Sequence, residues 1–155
     1  MTIGCVGRIE HHSELPEGKY NILLSGLRRF RILNEIEGKL YRQARVELLD
    51  EINDQDLTEG TLSIKQRLIK NMGQYLKNIP NGEDVEQSFD LGSCAKLAEL
   101  VDRIVYHFDL PVSKMQEFLE EQDVQKRAAS LHSLIELKNQ LIQISKNMKD
   151  KGIDF

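Results

Sequence analysis

The amino-acid sequence predicts an α+β protein, with a strand-rich first part followed by helices. Two observations carry the prediction. Apolar residues recur at every second position as far as Leu48 and at every third or fourth position afterwards. Glycine and proline turn signals also punctuate the first part at short intervals. The change of period falls near residue 55. The expected organisation is therefore a β-rich subdomain over residues 1–54 and a helical subdomain over residues 55–155, both parts of one domain. A chain of 155 residues is long enough to bury a core of its own.

Four strands are expected. Thr2 to Glu10 forms one, loosened by Gly4 and Gly7. Lys19 to Ser25 alternates, with Tyr20, Ile22 and Leu24 on one face. Arg29 to Leu33 does the same with Phe30 and Ile32, and Gln43 to Leu48 with Ala44, Val46 and Leu48. The turns are expected at Pro16-Glu17-Gly18, Ser25-Gly26 and Glu37-Gly38, and His11-His12 as a solvated turn before Pro16. Short runs with one apolar face predict an antiparallel sheet or a small barrel.

The helices follow. Ile64, Leu68, Met72, Tyr75, Leu76 and Ile79 lie at helical spacing, and Pro80 stops that helix. Asn81 to Phe89 reads as a polar loop. Leu97, Leu100, Val101, Ile104 and Phe108 make a second stripe, opened near Ser93 and closed by Asp109-Leu110-Pro111. Ser113 and Gln116 have capping-box spacing before Met115, Phe118 and Leu119. Asp123 is the expected N-cap of the last helix, and its tail from Lys146 to Gly152 is expected to fray. Leu134, Leu137, Leu141, Ile144 and Met148 recur in steps of three and four along it, the heptad seam, over about two heptads. That stripe packs on neighbouring helices or presents a seam to a second chain.

The search for chemistry excludes more than it finds. A net charge of −4 argues against a general nucleic-acid binder. Cys5 and Cys94 are too few for a disulfide framework or a thiolate zinc site, and read as free thiols in a reducing compartment. His11, His12, His107 and His132 have no partner at metal-ligand spacing. The chain has no phosphate loop and no nucleophile elbow. No catalytic residue, metal ligand or cofactor site is therefore assigned. No apolar run reaches the length of a membrane span, and the first residues lack the pattern of a signal peptide, so the expected location is cytoplasmic. Arg28, Arg29 and Arg31 form the one charge cluster, a candidate contact for nucleic acid or a partner. Residues 1–50 hold eight Lys/Arg against seven Asp/Glu, so the competing account is a wet sheet face paired with Glu35, Glu37 and Glu47.

The stretch from Gly18 to Ile32, GKYNILLSGLRRFRI, resembles the pattern D-G-x-Y-x-I-x-L-x-G-x-x-R-F-x-I of the N-terminal domain of Lon proteases and stand-alone Lon-domain proteins, with Glu17 in place of the usual aspartate. Ile3 to Ile9 is similar to the family's preceding strand. Tyr41 to Glu47 resembles its P-Y-x-x-A-x-V strand, with Leu40 in place of the proline. Phe118 to Arg127 resembles its L-L-E-x-x-D-x-x-x-R turn between the last two helices. In this pattern Gly26 stands at a sharp turn between two strands, Phe30 anchors the core, Asp123 caps the last helix and Arg127 folds back onto Glu120-Glu121.

The resemblance implies a PUA-like β pseudo-barrel followed by a helical bundle with a long last helix. The family's opening strands, rich in Pro, Leu and Phe, have no counterpart here. The barrel is accordingly expected to be incomplete, lacking about its first third, through truncation or because another chain supplies those strands. The implied function is non-catalytic recognition of unfolded or exposed polypeptide substrates in protein quality control, without the ATPase and Ser-Lys peptidase domains of full-length Lon. Contact is expected on exposed sheet side chains and the cleft between barrel and helices. The candidate substrate-binding residues are Tyr20, Leu27, Phe30, Met72 and Tyr75. Alternatives are an RNA- or ribosome-associated PUA-like module, and an assembly module that self-associates through the sheet edge or last helix.

Overall fold

The computed structural model describes residues 2–54, 58–80, 82 and 91–150. They form a three-stranded antiparallel sheet followed by four α-helices. The chain divides into two compact units, Met1–Asp50 and Glu51–Phe155. The expected loop at Asn81 to Phe89 lies almost wholly outside the described residues, as does the end of the tail beyond Asp150.

In the first unit the strands are β1 (Ile3–Leu15), β2 (Lys19–Ile36) and β3 (Gln43–Leu49), in the order β1-β2-β3. The β1–β2 hairpin closes through a 3₁₀ turn at Pro16–Gly18, where Glu17 and Gly18 both take positive φ, 66° and 69°. Glycine accepts that backbone without a Cβ penalty. Two expectations need correction. His11 and His12 lie within β1, paired with Leu23 and Ile22, and not in a turn. Ser25-Gly26 is not a turn either. Residues 19–36 form one strand, and Gly26 pairs with Gly7 beside a bulge.

That bulge reorders the sheet. Val6 pairs with Arg28 and Gly7 with Gly26, which leaves Leu27 as an extra residue on β2. Paired residues share a face and successive residues alternate. Tyr20, Ile22 and Leu24 therefore face one side of the sheet, and Phe30 and Ile32 the other, although uninterrupted alternation would put all five together. On the side of Phe30, its partner Gly4 leaves room for the ring: a Cβ there would lie 2.8 Å from Phe30 Cζ. Leu48 and Val46 of β3 flank Phe30 and Ile32 on that side.

The second unit holds α1 (Glu59–Leu76), α2 (Leu97–His107), α3 (Val112–Glu120) and α4 (Val124–Asp150). Thr58 caps α1, its hydroxyl accepting from the Thr61 amide at 3.1 Å. The core gathers Leu68, Met72 and Leu76 of α1, Leu97, Leu100, Val101 and Ile104 of α2, Phe118 of α3, and Val124, Ala128, Leu131 and Ile135 of α4. Burying aliphatic side chains of this size contributes roughly 1.5–3 kcal/mol each before entropy is subtracted. The chain enters α2 later than the expected opening at Ser93. Leu91–Ser93 is a 3₁₀ turn, and Lys65 Nζ donates to the carbonyls of Cys94 and, at 3.1 Å, Ala95, which holds that segment outside the helix. Ser113 does not cap α3: Pro111 is the N-cap and its carbonyl accepts from the amides of Lys114 and Met115. Lys146 to Asp150, expected to fray, is helical.

α1 and α4 run in the same direction, joined by polar rungs. Gln125 Nε2 donates to Thr61 Oγ1 at 3.0 Å, Asn139 Nδ2 to the Asn71 carbonyl at 3.0 Å, and Lys146 Nζ to Asn78 Oδ1 at 2.5 Å. The face of α4 that packs inward is Val124, Ala128, Leu131, Ile135 and, partly buried, Ile142. Of the heptad seam, Leu134 packs partly buried against this core, whereas Leu137, Leu141 and Ile144 are 52%, 53% and 54% exposed.

Candidate functional site

The sheet offers an unusually apolar surface. Tyr20, Ile22, Leu23, Leu24 and Leu27 are each at least half exposed, with Leu33 and Leu48 likewise open. Tyr20, Ile22 and Leu24 share one side of the sheet and Leu23 and Leu48 lie on the other, so exposed apolar side chains of the kind that mark contact surfaces occur on both sides. Among the candidate contact residues, Tyr20 and Leu27 stand on this surface, at 57% and 50% exposure, while Phe30 is half-buried on the opposite side from Tyr20. Met72 and Tyr75 belong to the helical core, at 0% and 7% exposure, and offer no surface as the unit is packed. Tyr75 stacks against Phe108 with ring centroids 4.8 Å apart. Burial, and then the negative charge of Asp109, push its phenol above the ordinary value.

The arginine cluster does not form one basic face. Arg28 shares its side of β2 with Phe30, whereas Arg29 and Arg31 point the other way. Arg28 ion-pairs with Asp50, Arg31 with Glu47 at 2.9 Å, and Arg42 with Glu35. These pairs are exposed, so each is worth little to stability, yet they cancel the local charge that phosphate would need.

The second unit carries a feature that sequence reasoning missed. A groove of about 460 Å³ opens between α3 and α4, floored by Phe118, Leu134 and Leu137 and rimmed by Lys114, Glu117 and Ser130. Both walls are stripes at spacings of three and four, a signal present in the sequence but not interpretable without knowing which helices meet. Arg127 closes one end. Its side chain is wholly buried, its Nη1 donates to the Glu121 carbonyl at 3.0 Å and stands 2.9 Å from Glu51 Oε2, and Asp102 lies 3.8 Å from Nη2. The turn before α4 is built around Asp123, whose Oδ1 accepts from the amides of Gln125 and Lys126 at 2.9 and 3.2 Å, and whose Oδ2 accepts from Asn53 Nδ2 at 2.9 Å. Desolvation works to raise the Asp123 pKa. The hydrogen bonds from the Lys126 amide, Asn53 and the Gln125 amide, with the charge of Lys126, outweigh it and hold the carboxyl below its usual value.

Among the described residues no group of three His, Cys, Asp or Glu side chains is placed to hold a metal ion. Cys5 is exposed and Cys94 buried, both as free thiols. His132 lies 3.2 Å from Asn71 Nδ2 and 3.5 Å from Glu136, within the α1–α4 seam. None of the helices described is long and apolar enough to cross a membrane.

The model of the ATP-dependent protease La (LON) substrate-binding domain matches residues 1–136. The chain belongs to the Lon substrate-binding domain family. Among curated relatives, the Lon protease of Escherichia coli K12 is 29% identical over 156 residues, and that of Paraburkholderia phytofirmans 28% over 154 residues. Each match covers 97% of this chain, but the chain spans only 19% and 18% of those relatives. The match is to the Lon substrate-binding domain and not to the protease or ATPase domains. Two solved Lon N-terminal domains share its fold. One, from Xanthomonas campestris, aligns with a TM-score of 0.59 at 19% identity, over 86% of this chain and 68% of that one. The other, from the Mycobacterium avium complex Lon protease, gives 0.62 at 20% identity, over 87% and 70%.

Proposed function

We propose that this chain recognises unfolded or exposed apolar polypeptide without catalysing a reaction on it, as a cytoplasmic component of protein quality control. The observation that carries the reading is the sheet surface. In a member of the Lon substrate-binding domain family, a run of large apolar side chains from Tyr20 to Leu27 stays at least half open to solvent wherever it is apolar. Leaving such residues exposed costs hydrophobic stabilisation, which a contact function accounts for. Tyr20 and Leu27 are the contacts available on this surface, with Phe30 at its reverse. Met72 and Tyr75 act from within the core, by holding the helical unit together.

The test is a fluorescence anisotropy titration against one labelled protein in two states, reduced and carboxymethylated so that it is unfolded, and native. Saturable binding of the unfolded state that survives raised salt, with none of the native state, is the expected result. Equal affinity for both states, or for neither, refutes the reading. A labelled RNA run alongside decides the nucleic-acid alternative, since phosphate-driven binding falls steeply with salt. A second reading, self-association through the last helix, is favoured by one observation: Leu137, Leu141 and Ile144 form an exposed stripe. Light scattering over a concentration series tests it.

A further inference from the structure

One edge of the Arg127 guanidinium is unused among the described residues. Its Nη1 donates to the Glu121 carbonyl at 3.0 Å and stands 2.9 Å from Glu51 Oε2. Its Nε and Nη2 are buried and find no hydrogen-bond partner among the described residues. Asp102 Oδ1, 3.8 Å from Nη2, is beyond hydrogen-bond reach. Nε and Nη2 carry N–H groups along one edge of the planar guanidinium, a fork that matches the two oxygens of a carboxylate. Buried donors are seldom left without an acceptor. Arg127 lines the groove between α3 and α4, whose volume of about 460 Å³ falls within the roughly 300–1,000 Å³ of ordinary ligand sites.

The other lining residues narrow the ligand. Phe118, Leu134 and Leu137 offer an apolar floor. Lys114 at the rim pairs with Glu117 at 2.6 Å, but an exposed pair of this kind is weak and gives way to an incoming anion at little cost. Glu121 Oε1 already accepts from the Asp123 amide at 2.9 Å, and Glu51 takes the Nη1 side of Arg127. These carboxylates are engaged elsewhere, while the fork stands open. A single negative charge suits it. A phosphate monoester would bring about 1.5 to 2 negative charges into a groove that Glu117 and Glu121 also line. An ammonium group would meet the charge of the guanidinium itself.

We infer that the groove between α3 and α4 binds a small organic monocarboxylate, its two oxygens on the Nε–Nη2 edge of Arg127 and its apolar body against Phe118, Leu134 and Leu137. The site is separate from the sheet and does not depend on polypeptide recognition there. Arg127 also holds Glu51 and the turn before α4, so a ligand on the fork stabilises the folded helical unit.

The probes are phenylbutyrate and its uncharged amide, phenylbutyramide, titrated into the full chain by calorimetry. The proton–nitrogen resonance of Arg127 Nε reports directly on the fork. Leu137→Glu, at an exposed position, sets a charge of the ligand's own sign in the apolar floor, and Lys114→Gln removes the cation at the rim. Thermal unfolding confirms that both variants are folded. The expected result is saturable binding of the acid with a shift of the Arg127 Nε resonance, and at least about tenfold weaker binding of the amide to the parent chain and of the acid to Leu137→Glu. Lys114→Gln should weaken the acid several-fold. An unmoved Nε resonance up to the solubility limit of the acid overturns the inference, and so does equal binding of acid and amide. A short peptide ending in phenylalanine, with its C-terminus free or amidated, presents the same group from another source. Tighter binding of the free-ended peptide than of phenylbutyrate assigns the groove to chain termini and overturns the small-molecule assignment.

Discussion

Arg127 of α4 reaches back to Glu51, with Nη1 2.9 Å from Oε2 and its side chain wholly removed from solvent. The same guanidinium donates to the Glu121 carbonyl, so one side chain ties the first residue of the helical unit to the turn between α3 and α4. The backbone repeats the tie beside it. The Ile52 amide donates to the Gln122 carbonyl and the Val124 amide to the Ile52 carbonyl, both at 2.9 Å.

Arg127→Ala should therefore be among the most damaging single changes in the helical unit. Removing one partner of a buried ion pair costs about 3–5 kcal/mol. Glu51 keeps 28% of its side-chain exposure, which places the loss toward the lower end. Urea unfolding measures it. Arg127→Met combined with Glu51→Gln should lose less than the two single changes summed, because neither charge is then stranded.

Asp123 makes the stability of the helical unit depend on acid. Its folded pKa is lowered, so its contribution is present above the unfolded carboxylate value and fades as the pH falls through the folded one. Asp123→Asn keeps one acceptor oxygen for the cap and should flatten the acid limb of the stability curve, by removing at neutral pH the part of the contribution that depends on the charge. Asp123→Ala removes the cap as well, and should lower the melting temperature by several degrees at every pH. Thermal unfolding followed by circular dichroism between pH 3 and pH 7 distinguishes the two. An Asp123→Ala protein that melts with the parent would show that the cap contributes nothing.

Gly4→Ala should force the Phe30 ring to shift, because an added Cβ would stand 2.8 Å from its Cζ. Gly4→Ala is expected to cost about 1–3 kcal/mol and to speed amide exchange along β1 and β2. Adding Phe30→Leu should recover part of that loss. If exchange in the hairpin is unchanged by Gly4→Ala, the ring has room to move and the contact is not restrictive.

The inward stripe of α1 was legible, since Leu68, Met72, Tyr75 and Leu76 fall inward where their spacing places them, although the helix ends at Leu76 and not at the expected stop before Pro80. The last helix was harder, because α4 carries two stripes at spacings of three and four. The inward stripe from Val124 to Ile142 is interrupted by Arg127 and Asn139, both turned to polar partners. The seam from Leu134 to Met148, which is exposed at Leu137, Leu141 and Ile144, is unbroken in sequence. Periodicity alone favours the unbroken stripe, and the exposure of Leu137, Leu141 and Ile144 reverses the choice. In the sheet, the alternation from Tyr20 is interrupted at Gly26-Leu27-Arg28, which reads as a turn as readily as a bulge, so only the pairing shows that one strand runs through it with Leu27 as the extra residue. The capping role of Asp123 and the return of Arg127 to the turn were readable from the motif they share. The groove was not, because it exists only where α3 meets α4.

The parallel alignment of α1 and α4 has a consequence for how this unit folds. Two helices that run the same way cannot be joined by a tight hairpin, and here the rungs connect residues 64 to 68 positions apart. Loop closure over such a distance is slow compared with helix formation, so the seam is expected to close only after α2 and α3 have taken their places. Until then the inward stripe of α4 has no partner and resembles its outward stripe, leaving the nascent helix open to docking with the wrong side.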